Sequence, residues 1–207
     1  MTNVSDFRHP FVAMSAYAYA ILAVGWLVWL APFVLFKRSV EAAKEVDSRA
    51  RWGVVLVAIA YSLLWQTKFW ERSVGPWRIL LSILLFLLAA VLSWTARRAL
   101  GRQWRLDAGL SADHELVTSG PYRFLRHPIY TSMLCVLLGT GVMITPWWLL
   151  LISLLVFLSG TEIRVRVEDR LLRSQFGDQF RDYEHSVDSY VPFLRWIIRP
   201  SLPRWPR

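Results

Sequence analysis

Apolar residues in this chain are gathered into long runs, separated by short polar, charged or Pro/Gly-bearing links, with little helical or alternating spacing. A helix needs about 20 apolar residues to cross about 30 Å of hydrocarbon, and that length divides the sequence into five candidate spans. The first is Met14–Phe36, with Pro32 expected to bend its last turn. The second opens at Trp52, runs unbroken to Trp65, and reaches spanning length only if Gln66 to Trp70 join it. Gly75-Pro76 stops it and starts the third, Trp77–Leu100. The fourth, Pro128–Ile144, and the fifth, Trp147–Arg164, are joined by Thr145-Pro146, a link short enough to require an antiparallel hairpin. Gly139, Gly141, Ser132, Ser153 and Ser159 offer small surfaces there for close helix approach. The expected fold is therefore all-α: a polytopic integral membrane protein with five transmembrane helices.

Polar chemistry is concentrated at one end of the last two spans. From His114 to Tyr130 the chain reads His-Glu-Leu-Val-Thr-Ser-Gly-Pro-Tyr-Arg-Phe-Leu-Arg-His-Pro-Ile-Tyr. Gly120-Pro121 marks a turn, and Pro128 suits a first helical position because its φ is fixed and its missing N–H has no partner to lose. Past the fifth span, Glu162, Arg164, Arg166, Glu168, Asp169, Arg170 and Arg173 alternate with Val165, Val167, Leu171 and Leu172, so that helix is expected to continue beyond the bilayer. Arg164 and Glu168, four apart, share a helical face. Gly177 reads as the cap, and Phe180, Tyr183 and Val187 as one more short amphipathic helix ending before Pro192. Charged groups beside hydrocarbon are costly and mark function. A site built from the loop before the fourth helix and the extension of the fifth is the resulting expectation. Residues 1–100 would then be three anchoring spans, 101–192 the catalytic region, and 193–207 a basic, Trp/Pro-rich tail on the membrane surface.

Charge changes the picture in one respect. A net charge of +9 could signal nucleic acid, but the basic residues flank the apolar runs, as membrane-orienting charge does, and no nucleic-acid partner is expected. Counting Lys and Arg in alternate loops puts the amino terminus outside, the carboxyl terminus inside, and the polar stretch on the cytoplasmic face. Trp52, Trp65, Trp70, Trp77, Trp94, Trp147 and Trp148 fall near span ends, as an interfacial belt requires. The histidines His9, His114, His127 and His185 lack metal-ligand spacing, and the single Cys135 allows no intrachain disulfide, so no metal site is expected. No Walker or Gly-x-Gly-x-x-Gly loop is present. Mid-span charges, which a transporter needs, are nearly missing.

The ordered set His114-Glu115-Leu116-Val117, Gly120-Pro121-Tyr122, Arg126-His127-Pro128-x-Tyr130, Arg164-x-x-x-Glu168-Asp169-x-x-Leu172-x-x-x-Phe176-Gly177, then Tyr183 and Val187 to Pro192, resembles the isoprenylcysteine carboxyl methyltransferase family. Its wider group includes membrane phospholipid N-methyltransferases. The resemblance covers roughly residues 101–192. It implies an enzyme that uses S-adenosylmethionine and, surrounded by membrane lipids, methylates a hydrophobic or lipid-linked acceptor, above all the carboxylate of an isoprenylcysteine-like group. By the same resemblance, His114, Glu115, Leu116, Val117, Tyr122, His127, Pro128, Ile129, Tyr130 and Glu168 hold the cofactor, and Arg164 faces an acceptor carboxylate, with Arg164 and Glu168 at the reacting centre. The chain departs from the family at Ser132 (often Gly), Asp169 (commonly Glu), Thr145 (usually Asn) and Phe180 (usually Tyr).

The residues admit this chemistry on their own terms. Methyl transfer from a sulfonium to a carboxylate needs positioning and water exclusion, and no general base. Mixed charges suit the donor: His127, Arg126 or backbone N–H groups for its carboxylate, Glu168 or Glu115 for its ammonium. Plainer readings stand beside these. His127 could serve only at a helix start, Tyr122 and Tyr130 as belt aromatics, Arg123 and Arg126 as topology charges, and Arg164–Glu168 as a surface pair worth about 0.3–0.5 kcal/mol. The residue pattern also admits a lipid amine acceptor and a non-enzymatic membrane adaptor, and it sets no oligomeric state.

Overall fold

The computed structural model describes residues 16–36, 45–46, 48–67, 74–104, 109–110 and 115–191. His114, Trp70 and the basic tail 193–207 lie outside them. Six α-helices follow in order: α1 (Ala16–Leu35), α2 (Ala50–Leu63), α3 (Pro76–Leu100), α4 (Pro128–Ile144), α5 (Trp147–Phe176) and α6 (Asp178–Ser186). Two strands of two residues, β1 (Glu45–Val46) and β2 (Gly109–Leu110), pair antiparallel and bring the α1–α2 and α3–α4 connections together, a contact no sequence pattern announced.

Three helices, α1, α3 and α5, are long and apolar enough to cross a membrane, while α2 with 14 residues and α4 with 17 are shorter. Proline and glycine set the ends as the sequence suggests. Extended backbone at Gly75 and non-helical backbone at His127 lead into Pro76 and Pro128 at the first helical positions. Gly177 ends α5 at φ +54°, a left-handed conformation that L side chains adopt at a cost. The helix of the second predicted span ends at Leu63, before Gln66, and Lys68 to Trp70 lie outside the described residues. Leu64, Trp65 and Gln66 each bond the carbonyl three residues back, which tightens the last turn and closes α2. The Thr145 hydroxyl then donates to the Leu64 carbonyl at 2.9 Å, satisfying a group left over at that end.

Sequence neighbours are not the main packing partners. Tyr130 beside Arg164 and Gly141 beside Leu150 make α4 and α5 antiparallel, yet α4 lies chiefly along α3 and α5 chiefly along α2. The small residues expected to join α4 to α5 largely receive those other helices. Ser82 of α3 donates to the Gly139 carbonyl at 2.6 Å, and Ser153 of α5 donates to Ala60 of α2 at 2.6 Å. Ser159 faces outward and bonds its own helix. From α1, Trp26 and Trp29 donate to Thr140 and Ser132 of α4 at 3.1 and 3.0 Å. Such interhelical bonds matter where apolar surroundings give little preference between protein and lipid. Outward faces carry Val34, Trp52, Trp77, Val91, Trp147 and Leu155, all exposed as lipid-facing side chains would be.

Arg97 corrects one reading. The sequence places it among the charges closing α3 at the interface, but its side chain is fully buried. The guanidinium donates to the Phe36 carbonyl at 3.0 Å and to the Gly101 carbonyl, and lies over the Trp104 ring at 4.9 Å. It thereby ties the ends of α1 and α3 beneath the site.

A charged cluster at the start of helix α4

The start of α4 and the second half of α5 face each other across a cluster of alternating charge. His127, buried at the N-cap position of α4, faces a carboxylate on each side of its ring, each ring N–H directed at an accepting oxygen: Asp169 Oδ1 at 2.8 Å from Nε2, and Glu168 Oε2 at 3.5 Å from Nδ1. Burial alone would lower the His127 pKa. The hydrogen bonds and charges of Asp169 and Glu168 outweigh it and lift the value from 6.5 to about 9, so the ring is an imidazolium at neutrality.

One turn on, Tyr130 links the two helices. Its hydroxyl donates to Glu168 Oε1 at 2.5 Å and accepts from Arg164 Nε at 2.6 Å. Arg164 also reaches Glu168 at 3.2 Å, the expected i,i+4 pair. This pair is not an ordinary surface bridge, because the Arg164 side chain is only 12% exposed and is held on two sides. Glu168, at 25%, is the more open of the two.

Arg126 has a different part from the one the sequence allows. It donates to Asp169 Oδ2 at 3.0 Å and to the carbonyls of Glu184 and Val187 at 3.0 and 2.8 Å. A cation at the last carbonyls of a helix is favourable, so Arg126 holds the end of α6 against the cluster. Arg123 points outward beside the Phe124 ring. The chain after α6 returns along the same wall: the N–H groups of Arg126 and His127 donate to the carbonyls of Asp188 and Ser189 at 2.7 and 2.9 Å, and the Thr131 hydroxyl to Tyr190 at 2.6 Å.

Among the expected ligands, Tyr122, His127, Tyr130, Arg164 and Glu168 converge on this face. Tyr122 sits in a 3-10 turn, Gly120–Arg123, opened by Gly120 at φ +61°. Burial, then the fields of Tyr183 and Glu168, push its phenol well above the ordinary range, so it stays protonated. Tyr183 fixes the turn by donating to the Tyr122 carbonyl at 2.5 Å. Pro128 is buried at the first turn of α4, and Ile129, half-buried, gives its carbonyl to the Ser132 hydroxyl. Glu115 is exposed, with its N–H on Gln103; Leu116 packs against Phe180, Tyr183 and Val187; Val117 is half-buried. Asp169 stands in the motif quoted from the sequence but is given no part in the site there. Its role follows from burial that only the structure shows: the adjacent Arg126-His127 pair at the helix start needs a counter-charge. Among the described residues, no group of three or more His, Cys, Asp and Glu side chains could hold a metal ion.

Similarity to other proteins agrees with this arrangement. The phospholipid methyltransferase family profile matches residues 77–179, which include α4, nearly all of α3 and the whole charged part of α5. The chain is 31% identical over 121 residues to the protein-S-isoprenylcysteine O-methyltransferase of Tribolium castaneum, covering 57% of this chain and 43% of the relative. It is 32% identical over 113 residues to protein-S-isoprenylcysteine O-methyltransferase B of Arabidopsis thaliana, covering 53% and 57%. It is also 32% identical over 144 residues to the cobalt-zinc-cadmium resistance protein CzcN of Cupriavidus metallidurans, covering 69% and 62%. The matched region thus spans less than two thirds of each of these relatives. With the motifs, their spatial convergence and these matches in hand, the chain belongs to the isoprenylcysteine carboxyl methyltransferase family of membrane proteins, related to the phospholipid methyltransferases.

Proposed function

We propose that this protein is an S-adenosylmethionine-dependent methyltransferase that methylates the carboxylate of a hydrophobic, isoprenylcysteine-like acceptor at a membrane surface. The observation that carries the reading is the Arg164–Tyr130–Glu168–His127 relay, an arginine fork and a carboxylate held side by side and only partly open. The names of the Tribolium and Arabidopsis relatives supply the acceptor class.

The donor set suits the cofactor. S-adenosylmethionine brings an ammonium, a carboxylate and a sulfonium, and the cluster offers both signs with one carboxylate, Glu168, left more open than its partners. Glu168 would take the ammonium, while His127, Tyr122, Tyr130, Pro128, Ile129 and the segment of Glu115, Leu116 and Val117 would line the remainder, with His114 as a further proposed ligand. When bound, the cofactor supplies an electrophilic methyl group. The protein's own residues do the rest. Arg164 holds the acceptor carboxylate through its guanidinium, Tyr130 and Glu168 fix the direction of that fork, and the buried imidazolium of His127 keeps the neighbouring carboxylates ionised. A carboxylate nucleophile arrives deprotonated, so no residue has to remove a proton.

In this reading α2 and α4 are spans as well, giving five, with the polar cluster on the cytoplasmic side and the amino terminus outside. Residues 1–100 anchor and 101–192 carry the chemistry. The test uses purified protein in lipid nanodiscs with methyl-labelled S-adenosylmethionine and N-acetyl-S-farnesylcysteine, or its carboxamide. The expected result is a base-labile labelled ester from the acid and no transfer to the amide. Label appearing instead on phosphatidylethanolamine would move the assignment to the amine chemistry suggested by the family profile. Neither binding nor transfer would overturn both.

A further inference from the structure

We infer that Gly53, in α2 and outside the region matched by the family profile, is a positioning residue for Arg164. The inference rests on Arg164 as the acceptor-binding arm. α2 crosses α5 at a pair of glycines. A Cβ placed on Gly53 would lie 2.6 Å from Arg164 Cγ and 2.6 Å from the Gly160 carbonyl oxygen. A Cβ on Gly160 would in turn lie 2.8 Å from the Gly53 carbonyl oxygen and 2.8 Å from Leu56 Cβ. The crossing therefore has no space for a methyl group on either helix, and the first carbons of the Arg164 side chain run through the notch that Gly53 leaves.

The location of that contact matters. Cγ is only two bonds from the α5 backbone, so a shift there is levered along the side chain and swings the guanidinium away from Tyr130 and Glu168, on which its direction depends. Side chains move between discrete rotamers, so the expected response to a Gly53 methyl is a change of χ1 or a spreading of the two helices. Either removes the fork from its place. On this account α2 is a wall of the reaction centre as well as an anchor, and the absence of a side chain at Gly53 sets where the acceptor's charged end is held.

The test is a double-mutant cycle with Gly53→Ala, Arg164→Ala and the double variant in nanodiscs, followed by thermal unfolding and by steady-state kinetics. Gly53→Ala is expected to lower the melting temperature, and to lower it less in the Arg164→Ala background than in the wild-type one, because Ala has no Cγ to collide. In Gly53→Ala the acceptor KM should rise about tenfold to a hundredfold, as a misplacement on the order of 1 Å does, while the cofactor Kd stays within about twofold. If Gly53→Ala gives no folded protein, recovery of folded double variant reads the same coupling, and no recovery overturns it. A melting temperature unchanged in Gly53→Ala, or a loss as large in the Arg164→Ala background as in the wild-type one, also overturns the inference. Coupling in the melts with an unchanged acceptor KM would uphold the contact and reject Arg164 as the acceptor arm.

Discussion

Asp169→Asn is the sharpest perturbation of the charged cluster. The Asp169 carboxylate, with its side chain 9% exposed, stands between two cations, Arg126 at 3.0 Å and His127 at 2.8 Å. Asparagine keeps the shape and one acceptor but removes the charge and turns an N–H toward one of the two. Removing one partner of a buried ion pair costs about 3–5 kcal/mol, and the retained acceptor sets the expectation at the lower end, about 3 kcal/mol. His127 gives a second measure. Its pKa, raised from 6.5 to about 9, corresponds to about 3 kcal/mol of stabilisation of the charged ring. Because the folded value lies above the unfolded one, that contribution is complete below pH 6.5 and is lost as pH rises through 9. Thermal unfolding of the wild type in nanodiscs should therefore weaken between pH 6.5 and 9, and in Asp169→Asn the decline should be smaller and end at lower pH, from a lower starting stability. A variant that melts within a degree of wild type and keeps the wild-type pH dependence would refute the account of His127 as a charge held by Asp169.

Other outcomes follow from single contacts. Tyr130→Phe removes the donor to Glu168 and the acceptor for Arg164 together, and should raise the acceptor KM by about tenfold or more, measured with the labelled farnesylcysteine acid; an unchanged KM would remove Tyr130 from the relay. Tyr183→Phe leaves the buried Tyr122 carbonyl without its 2.5 Å donor and should cost about 1–3 kcal/mol in unfolding, with kcat close to wild type at saturating cofactor. Arg173→Ala breaks an exposed bidentate pair with Glu184 and should change stability by less than about 1 kcal/mol; a larger loss would mean that α6 depends on that pair for docking.

Much of this arrangement was legible because local signals coincide with the fold. Gly75-Pro76, His127-Pro128 and Gly177 set helix ends by backbone chemistry alone, and Pro128–Ile144 is the observed helix to the residue. Arg164 and Glu168 meet because helical spacing requires it. What stayed hidden depends on pairings across the chain. Gly139 and Ser153 were recognisable as small, but their partners on α3 and α2 are set by three-dimensional packing that a two-residue link cannot disclose. Arg97 looked like an interfacial charge because sequence shows its place at a helix end and says nothing of the carbonyls and rings waiting inside. Asp169 was read as one more charge on a polar helix, since the need for it arises only when Arg126 and His127 are both buried against it.

The return of residues 187–190 along the start of α4 has a wider consequence. Backbone carbonyls of Asp188 and Ser189 receive the N–H groups of the same two residues whose side chains are neutralised by α5. The charged cluster is thus the knot in a loop of chain that leaves through α4, turns back along α5, rounds α6 and ties on again where it began. Ending the polypeptide at Ser186 should leave every helix able to form and still untie the cluster. Proteolysis in that stretch, followed by loss of cofactor binding with helical content intact, is how such an opening would be seen.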